Sequence, residues 1–343
     1  MCAVVIEAES GLYCPAGDFY IDPWQAVPRA LITHAHGDHA RPGSAAYLCA
    51  APGEALLQRR LAFDETSSPP QIEAVAYGHR VRLGDVTISF HPAGHVLGSA
   101  QIRVEGADGV WVLSGDYKRA ADPTCEPFEV VACNTFVTES TFGLPIYRWD
   151  STESVVTEML EWWQQNGASG LTSVLFCYTL GKAQRVLAEL ARVTDRPVLV
   201  HGMMVGTIDL YRRSGARMLA TTTLVDRPRG RSLAGELVLA PLSARGTPWM
   251  RRLGDLSDAF VSGLMRVRGV RRQRAFDRGF VLSDHADWPA LLETIAETGA
   301  ARVLASHGHA EPLARYLSQQ GLETGTIRTA WEAEGGSRVD DAG

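Results

Sequence analysis

The chain has 343 residues, 45% hydrophobic and 21% charged, with a formal net charge of −6 at pH 7. That is an ordinary globular composition, long enough for two domains or one domain with an insertion, and no apolar run approaches the ~18 residues that span a bilayer. The opening "MCAVVIEAES" lacks the basic-then-apolar order of a secretory signal. The six cysteines lack CxxC spacing, which argues against a zinc ribbon or disulfide framework and fits a reducing cytoplasm.

Over the first ~140 residues the pattern reads as short strands separated by turns. "DFYID" ends at Asp22 and "RALITH" ends at a histidine cluster; "AAYLCA", "VTISFHPAG" and "VWVLSGD" follow, and "NTFVTEST" closes the series at Glu139. Ligand-type side chains recur just after apolar strands, which is how a rigid sheet presents a site on its edge loops. From Ser151 the pattern changes to helix and strand in alternation. "STESVVTEMLEWWQQNG" reads as a helix capped by Ser151 and ending at Gly167; "TSVLFCY", "RPVLVHG" and "ELVLAP" read as buried strands, with "LGKAQRVLAELARV" a helix between the first two. This is a small α/β unit of parallel-sheet type. "RGFVLSDHADWPALLETIAETGA" and "ARVLASHGHAEPLARYLSQQG" then return to strand, polar loop and helix, passing through His285, His307 and His309. The middle unit therefore reads as an insertion. The expected boundaries are a sheet domain at 1–147 and 279–335, an inserted domain at 148–278, and a disordered tail at 336–343.

"THAHGDH" places His34, His36, Asp38 and His39 within six positions. Alternate side chains of an extended loop face the same way, so the spacing offers two groups, His34/His36 and Asp38/His39, to neighbouring ions. Without a cation, four such groups buried together would repel or go unpaired. Imidazole and carboxylate suit zinc or manganese, and no thiolate demands a softer metal. Two ions need about six to eight protein ligands. His95, Asp116 and His307 are the strand-end candidates, Asp116 being the natural bridging carboxylate. His79, His91 and His309 read as ordinary capping or surface residues.

"THAHGDH" resembles the signature of the metallo-β-lactamase superfamily, whose fold is a four-layer αββα sandwich around a dinuclear site. The resemblance implies His34, His36, His95 and Asp116 for one metal and Asp38, His39, Asp116 and His307 for the other. It puts Asp22 behind them as an orienting residue. Glu139 in "TEST", His285 in "LSDHAD", His307 in "SHG" and the helix of "FCYTLGKAQRVLAEL" are similar to the β-CASP nuclease branch, with its inserted small α/β cap. "GLYCPAGDFYIDPW", "PAGHVLGSAQI", "SGDYKR", "TFGLPIYRW", "GTPWMRR" and "GFVLSDHADWP" resemble the bacterial DNA ligase-associated exonucleases over nearly the whole chain. Gly37 departs from that pattern, in which alanine is common, and in a loop the exchange is harmless.

What the resemblance implies is a metal-dependent exonuclease acting on single-stranded DNA ends in repair, through a hydroxide bridging two Zn²⁺ or Mn²⁺ ions. Asp38 would hold that water, His285 act as general acid and Glu139 fix its ring. The expected partners are DNA, a DNA ligase and a helicase, with no membrane and a monomeric state. Substrate would lie in a groove between sheet domain and cap, gripped by Lys182 and by the arginine run Arg266, Arg268, Arg271, Arg272 and Arg274. Clustered arginine is the usual footprint of phosphate contacts, despite the negative total charge. Gly181 and Gly202 would either permit close approach to phosphate or serve as ordinary turn glycines. Arg227, Arg229 and Arg231 form a second basic run. Trp149, Trp249 and Trp288 are candidates to stack on bases, although packing suits each better. Competing readings are an RNA-processing nuclease of the same branch, a thioester or lactone hydrolase, which needs neither basic groove nor His285, and a DNA-binding scaffold.

Overall fold

A computed structural model describes residues 3–62, 70–227, 230 and 232–328, with residues 270 and 271 described by backbone alone. The expected tail, Arg229, Arg231 and the Arg271 side chain lie outside the described residues. The chain divides into two compact units, one of residues up to 145 and from 285 onward, the other of 146–284.

The first unit opens with six strands, β1 (Ile6–Ala8), β2 (Gly11–Cys14), β3 (Phe19–Ile21), β4 (Arg29–Ile32), β5 (Ala46–Ala50) and β6 (Gln71–Val75), which form one sheet in that order. Helix α1 (Glu54–Leu61) stands between β5 and β6. Sequence pattern suggested strands and turns only here. However, "EALLQRRL" is built from good helix formers, and its buried Leu57 and Leu61 pack on Ala30, Ile32, Tyr47 and Cys49 of the sheet's outer face. Strands β7 (Val81–Leu83), β8 (Val86–Pro92), β9 (Ala100–Gly106), β10 (Gly109–Leu113) and β11 (Thr135–Glu139) begin the second sheet. β7 to β10 are antiparallel neighbours, and β10 and β11 run parallel.

In the second unit, α2 (Thr152–Ala168) is capped by Ser151, whose Oγ accepts from Ser154 N at 3.2 Å. It runs one residue past Gly167. Then come β12 (Thr172–Phe176), α3 (Lys182–Leu190), β13 (Val198–Val200), α4 (Gly202–Arg213), β14 (Thr221–Thr222), β15 (Leu237–Ala240), β16 (Leu256–Val261), α5 (Arg268–Arg274) and β17 (Arg278–Phe280). The six strands form one parallel sheet in the order β14-β13-β15-β12-β16-β17. Its central strands are buried throughout, as near-continuous apolar runs require when both faces are covered. α2, α3 and α4 pack Trp163, Leu187 and Ile208 on one face, and Leu253 and Met265 cover the other.

Back in the first unit, α6 (Trp288–Thr298), β18 (Arg302–Ser306), α7 (Ala310–Gln319) and β19 (Glu323–Thr326) complete the second sheet as β19-β18-β11-β10-β9-β8-β7. Period-two alternation sorts the side chains. Phe19, Ile21 and Leu31 of the first sheet meet Ile88, Phe90, Ile102 and Trp111 of the second in one core. Val112, Phe136 and Val303 point the other way, onto Leu291 and Ile295 of α6 and Leu313 and Leu317 of α7. The layers are therefore α, β, β and α. Each of these apolar side chains contributes about 1.5–3 kcal/mol when removed from water, so the two strand edges above the core are held rigidly.

Candidate metal centre

The loop leaving β4 carries Thr33 to His39. His34 Nε2 lies 2.9 Å from His36 Nδ1, and His95 Nε2 lies 3.2 Å from the same atom. Asp116 Oδ2 is 3.6 Å from His34 Nε2, 3.6 Å from His39 Nε2 and 3.8 Å from His95 Nε2. One donor atom from each of His34, His36, His95 and Asp116 falls within 4.8 Å of the others. The other expected set is looser: Asp38 Oδ2 stands 3.7 Å from His39 Nε2, and the His39 and His307 rings stack at 5.1 Å. Asp116 also gathers with Glu139 and His285 into a second three-donor group within the same span.

These residues fit divalent metal ions. His39 Nε2 and Asp116 Oδ1 are buried with no hydrogen-bond partner, a costly state that a cation relieves. Electrostatics agree. Burial holds His34 well below the ordinary imidazole range, helped by its histidine neighbours. Burial would also depress His39, but Asp38, Asp116 and Asp22 outweigh it and hold that imidazole well above the usual range. Burial opposes ionisation of Asp116, yet His39, His285 and His34 together keep it well below the usual carboxylate range. Three carboxylates thus converge on a pocket that asks for positive charge.

Asp22 orients this arrangement. Its Oδ1 accepts from Thr33 N at 2.8 Å; its Oδ2 accepts from Thr33 Oγ1 at 2.6 Å and lies 2.8 Å from His39 Nδ1. The carboxylate therefore assigns the proton to Nδ1 and leaves the Nε2 lone pair for a metal. Asp22 and His307 both hold left-handed backbone, φ 44 and 56, so local strain falls at the site. Sequence reasoning passed over Thr33 and Ser99. Thr33 Oγ1 also touches His34 Nδ1 at 3.1 Å, and Ser99 Oγ accepts from the N–H groups of His95 and Val96 at 3.1 and 3.2 Å. Each looks like an ordinary strand or turn residue until its partner is known.

Glu139 is buried and accepts from Tyr117 N at 2.6 Å. His285 Nδ1 lies 2.9 Å from its Oε2, which fixes the ring tautomer, and the Phe142 ring stands edge-on to His285 at 5.7 Å. Gly308 (φ 60) is needed where it stands, because a Cβ there would meet Thr141 Cα at 2.5 Å. At Gly37 a Cβ would meet only the tip of the Arg60 side chain, so the alanine of the related pattern fits after a small movement.

Several expected substrate contacts have other uses. Lys182 is buried; its ammonium donates to Leu282 O at 2.7 Å and pairs with Asp284 Oδ1 at 2.8 Å, so it is a structural cation rather than a phosphate grip. The backbone N–H of Gly181 (φ 87) donates to Gln184 Oε1, which makes it a helix cap instead of a phosphate cradle. Arg266 pairs with Asp150 at 3.1 Å, and the Arg274 guanidinium stands over the Phe260 ring at 5.5 Å. Arg227 pairs with Glu236. Arg268 and Arg272 are exposed on α5. His91 bridges Ser89 and Glu129 at 3.0 Å on each side.

No protein-family model matches the chain. A protein of Opitutus terrae named as a probable DNA ligase is 30% identical over 332 residues, covering 94% of this chain and 31% of that protein. An RNase J-like protein of Methanocaldococcus jannaschii is 23% identical over 214 residues, 54% of this chain and 50% of its own. Endoribonuclease YSH1 of Saccharomyces cerevisiae is 30% identical over 127 residues, 36% and 16% of the two chains. The chain thus spans half or less of the length of these relatives. Among solved structures, a protein of unknown function from Enterococcus faecalis shares the fold, with a TM-score of 0.58 at 11% identity over 88% of this chain and 79% of that one.

Proposed function

The chain belongs to the β-CASP branch of the metallo-β-lactamase superfamily, and from that premise we propose that it is a metal-dependent phosphodiesterase, an exonuclease of single-stranded DNA ends. The observation that carries this reading is the Glu139–His285 pair beside the His34, His36, His95 and Asp116 donors. Hydrolysis of a thioester at such a centre has little use for a second, oriented imidazole, because a thiolate leaves without a proton. A phosphodiester does, because its leaving alkoxide needs a proton.

His34, His36, His95 and Asp116 would hold one Zn²⁺ or Mn²⁺ ion and Asp38, His39, Asp116 and His307 another. Such ions supply Lewis-acid charge to the phosphoryl oxygens and acidify a water at neutral pH. The chain's own groups do the rest. Asp38, partly exposed beside His39, accepts a hydrogen bond from the attacking water and orients it. Glu139 receives the Nδ1–H of His285, so that the ring, entering as the imidazolium, gives its Nε2 proton to the leaving oxygen and is left neutral. Asp22 keeps His39 in the tautomer that binds metal.

DNA is favoured over RNA because the relative that covers 94% of this chain is named as a probable DNA ligase, a name that also supports a role beside a ligase; a helicase is a further associate in this proposal. The endoribonuclease and RNase J-like names favour the RNA reading. Among the described residues no helix is long and apolar enough to cross a membrane. The test is hydrolysis of single-stranded DNA and of matched RNA, labelled at either end, with manganese, zinc or EDTA and with His39→Ala as control. Metal-dependent release of mononucleotides from one DNA end is expected. Cleavage of the RNA alone would replace DNA with RNA, and silence on both from metal-loaded protein would refute the nuclease.

A further inference from the structure

The first unit carries a groove that the chemistry above does not use. Gly143, Pro145, Trp288, Glu311, Arg315 and Tyr316 line it, with Pro312 and Gln319. Its three walls share one origin. Gly143 and Pro145 follow Glu139, Trp288 follows His285, and α7 follows His307, so each wall is the continuation of a loop that carries a site residue. The walls are close. A Cβ on Gly143 would stand 3.2 Å from His309 O and 3.0 Å from Ser140 O, and His309 N donates to Ser140 O at 2.8 Å.

Helix α7 is two-faced. Leu313, Ala314 and Leu317 are buried on the second sheet, while Glu311, Arg315, Tyr316 and Gln319 face the groove at successive spacings of four, one and three residues. Tyr316 is 38% exposed and is the only aromatic among the exposed large hydrophobic side chains of the described residues. It is braced, because the buried Trp288 ring meets it edge-on at 4.9 Å and 70°. One residue before it, Arg315 is exposed and has no ion-pair partner among the described residues. Arg80, Arg278 and Arg302 are each neutralised by a glutamate; Arg315 is instead one of the exposed arginines left without such a partner, and the one that stands beside an exposed aromatic ring. An exposed, rigid ring beside an unneutralised guanidinium is the pairing that single-stranded nucleic acid uses, the base on the ring and the phosphate on the cation.

We propose that this groove is a nucleotide subsite for single-stranded DNA, with a base stacked on Tyr316 and its phosphate held by Arg315, leading the strand toward His307 and His285. The proposal rests on the nuclease reading and names residues that reading does not require. Glu311, nearer the start of α7, limits the anionic contact to the Arg315 end.

The experiment is steady-state hydrolysis of an end-labelled thymidine 20-mer by manganese-loaded wild type, Arg315→Ala, Tyr316→Ala and Tyr316→Phe, at several salt concentrations. Both alanine variants should raise KM about tenfold, with the change in KM rather than kcat. Arg315→Ala should also lower the log–log salt slope by about one, and Tyr316→Phe should restore wild-type KM. Melting curves identify any variant that fails to fold; for such a variant Arg315→Gln or Tyr316→Leu takes its place. Alanine variants with wild-type KM and salt slope, in a wild type that does digest DNA, overturn the subsite and leave the nuclease reading intact. An effect on a uridine 20-mer with none on the DNA overturns the DNA assignment. A wild type silent on both polymers overturns the nuclease reading and this proposal with it.

Discussion

Replacing Asp22 by asparagine separates two things its carboxylate does. Asparagine tolerates the left-handed backbone at this position (φ 44) and retains an acceptor for Thr33 N, so the turn entering the donor loop survives. What changes lies at the Oδ2 position, 2.8 Å from His39 Nδ1. An amide N–H₂ there faces the Nδ1–H of His39, donor against donor, and the ring responds by moving its proton to Nε2. That proton then points into the donor group, at the Asp116 oxygen 3.6 Å away, where a metal needs a lone pair. Loss of an orienting partner of this kind costs about 10–100-fold in metal affinity, equivalent to roughly 1.4–2.8 kcal/mol. Asp22→Ala forfeits more, because both hydrogen bonds to Thr33 go too, at about 1.5–3 kcal/mol each for bonds to a charged group.

The assay is zinc competition against a chromophoric chelator, run beside urea unfolding in EDTA. Asp22→Asn should bind zinc 10–100-fold more weakly while its metal-free stability stays within about 1 kcal/mol of wild type, as expected for a change that spares the packing. Asp22→Ala should lose both. Wild-type zinc affinity in Asp22→Asn would refute the tautomer argument, and metal-free unfolding as severe as that of the alanine variant would show that the charge holds the turn.

Other outcomes follow from the same geometry. In metal-free protein, His39 has its imidazolium stabilised, a contribution complete below the free value of about 6.5 and lost as pH rises through the raised folded value; His34, held neutral, makes stability fall below about 6.5. Melting in EDTA should therefore be highest near the imidazole range, and saturating zinc should abolish the alkaline loss; a metal-free melting temperature that climbs steadily from pH 6 to 9 would contradict this. Asp284→Ala leaves the buried Lys182 and Arg185 cations without the carboxylate they share at 2.8 and 3.2 Å, and should cost about 3–5 kcal/mol in urea unfolding. Lys182→Met should leave the salt dependence of nucleic-acid binding unchanged, since a buried ammonium releases no counterions. Gly98→Ala forces a Cβ to within 2.1 Å of Gly53 Cα at φ +74, so it should weaken zinc binding by displacing the His95 loop as well as lower the melting temperature.

What could be read in advance follows from where the information lies. The convergence of His34 and His36 is local: two positions apart on an extended loop, their side chains must share a face. His95 and Asp116 were legible because each follows an apolar strand within three residues, and β8 and β10, both antiparallel to β9, run the same way and bring those ends to one edge. Thr33 was not, since its hydroxyl acquires a purpose only through Asp22, 11 residues earlier. Lys182 misled for the same reason at longer range. A lysine after a glycine at a helix start has the local look of a phosphate site, and nothing nearby reveals that Asp284 will meet it. The arginine run shows the general limit: composition counts charges, while packing decides which are spent on Asp150 or Phe260 and which stay free. Arg315 makes the converse case. It stands alone in sequence, outside any basic run, and only the fold sets it beside an exposed tyrosine on the helix that begins at the metal centre.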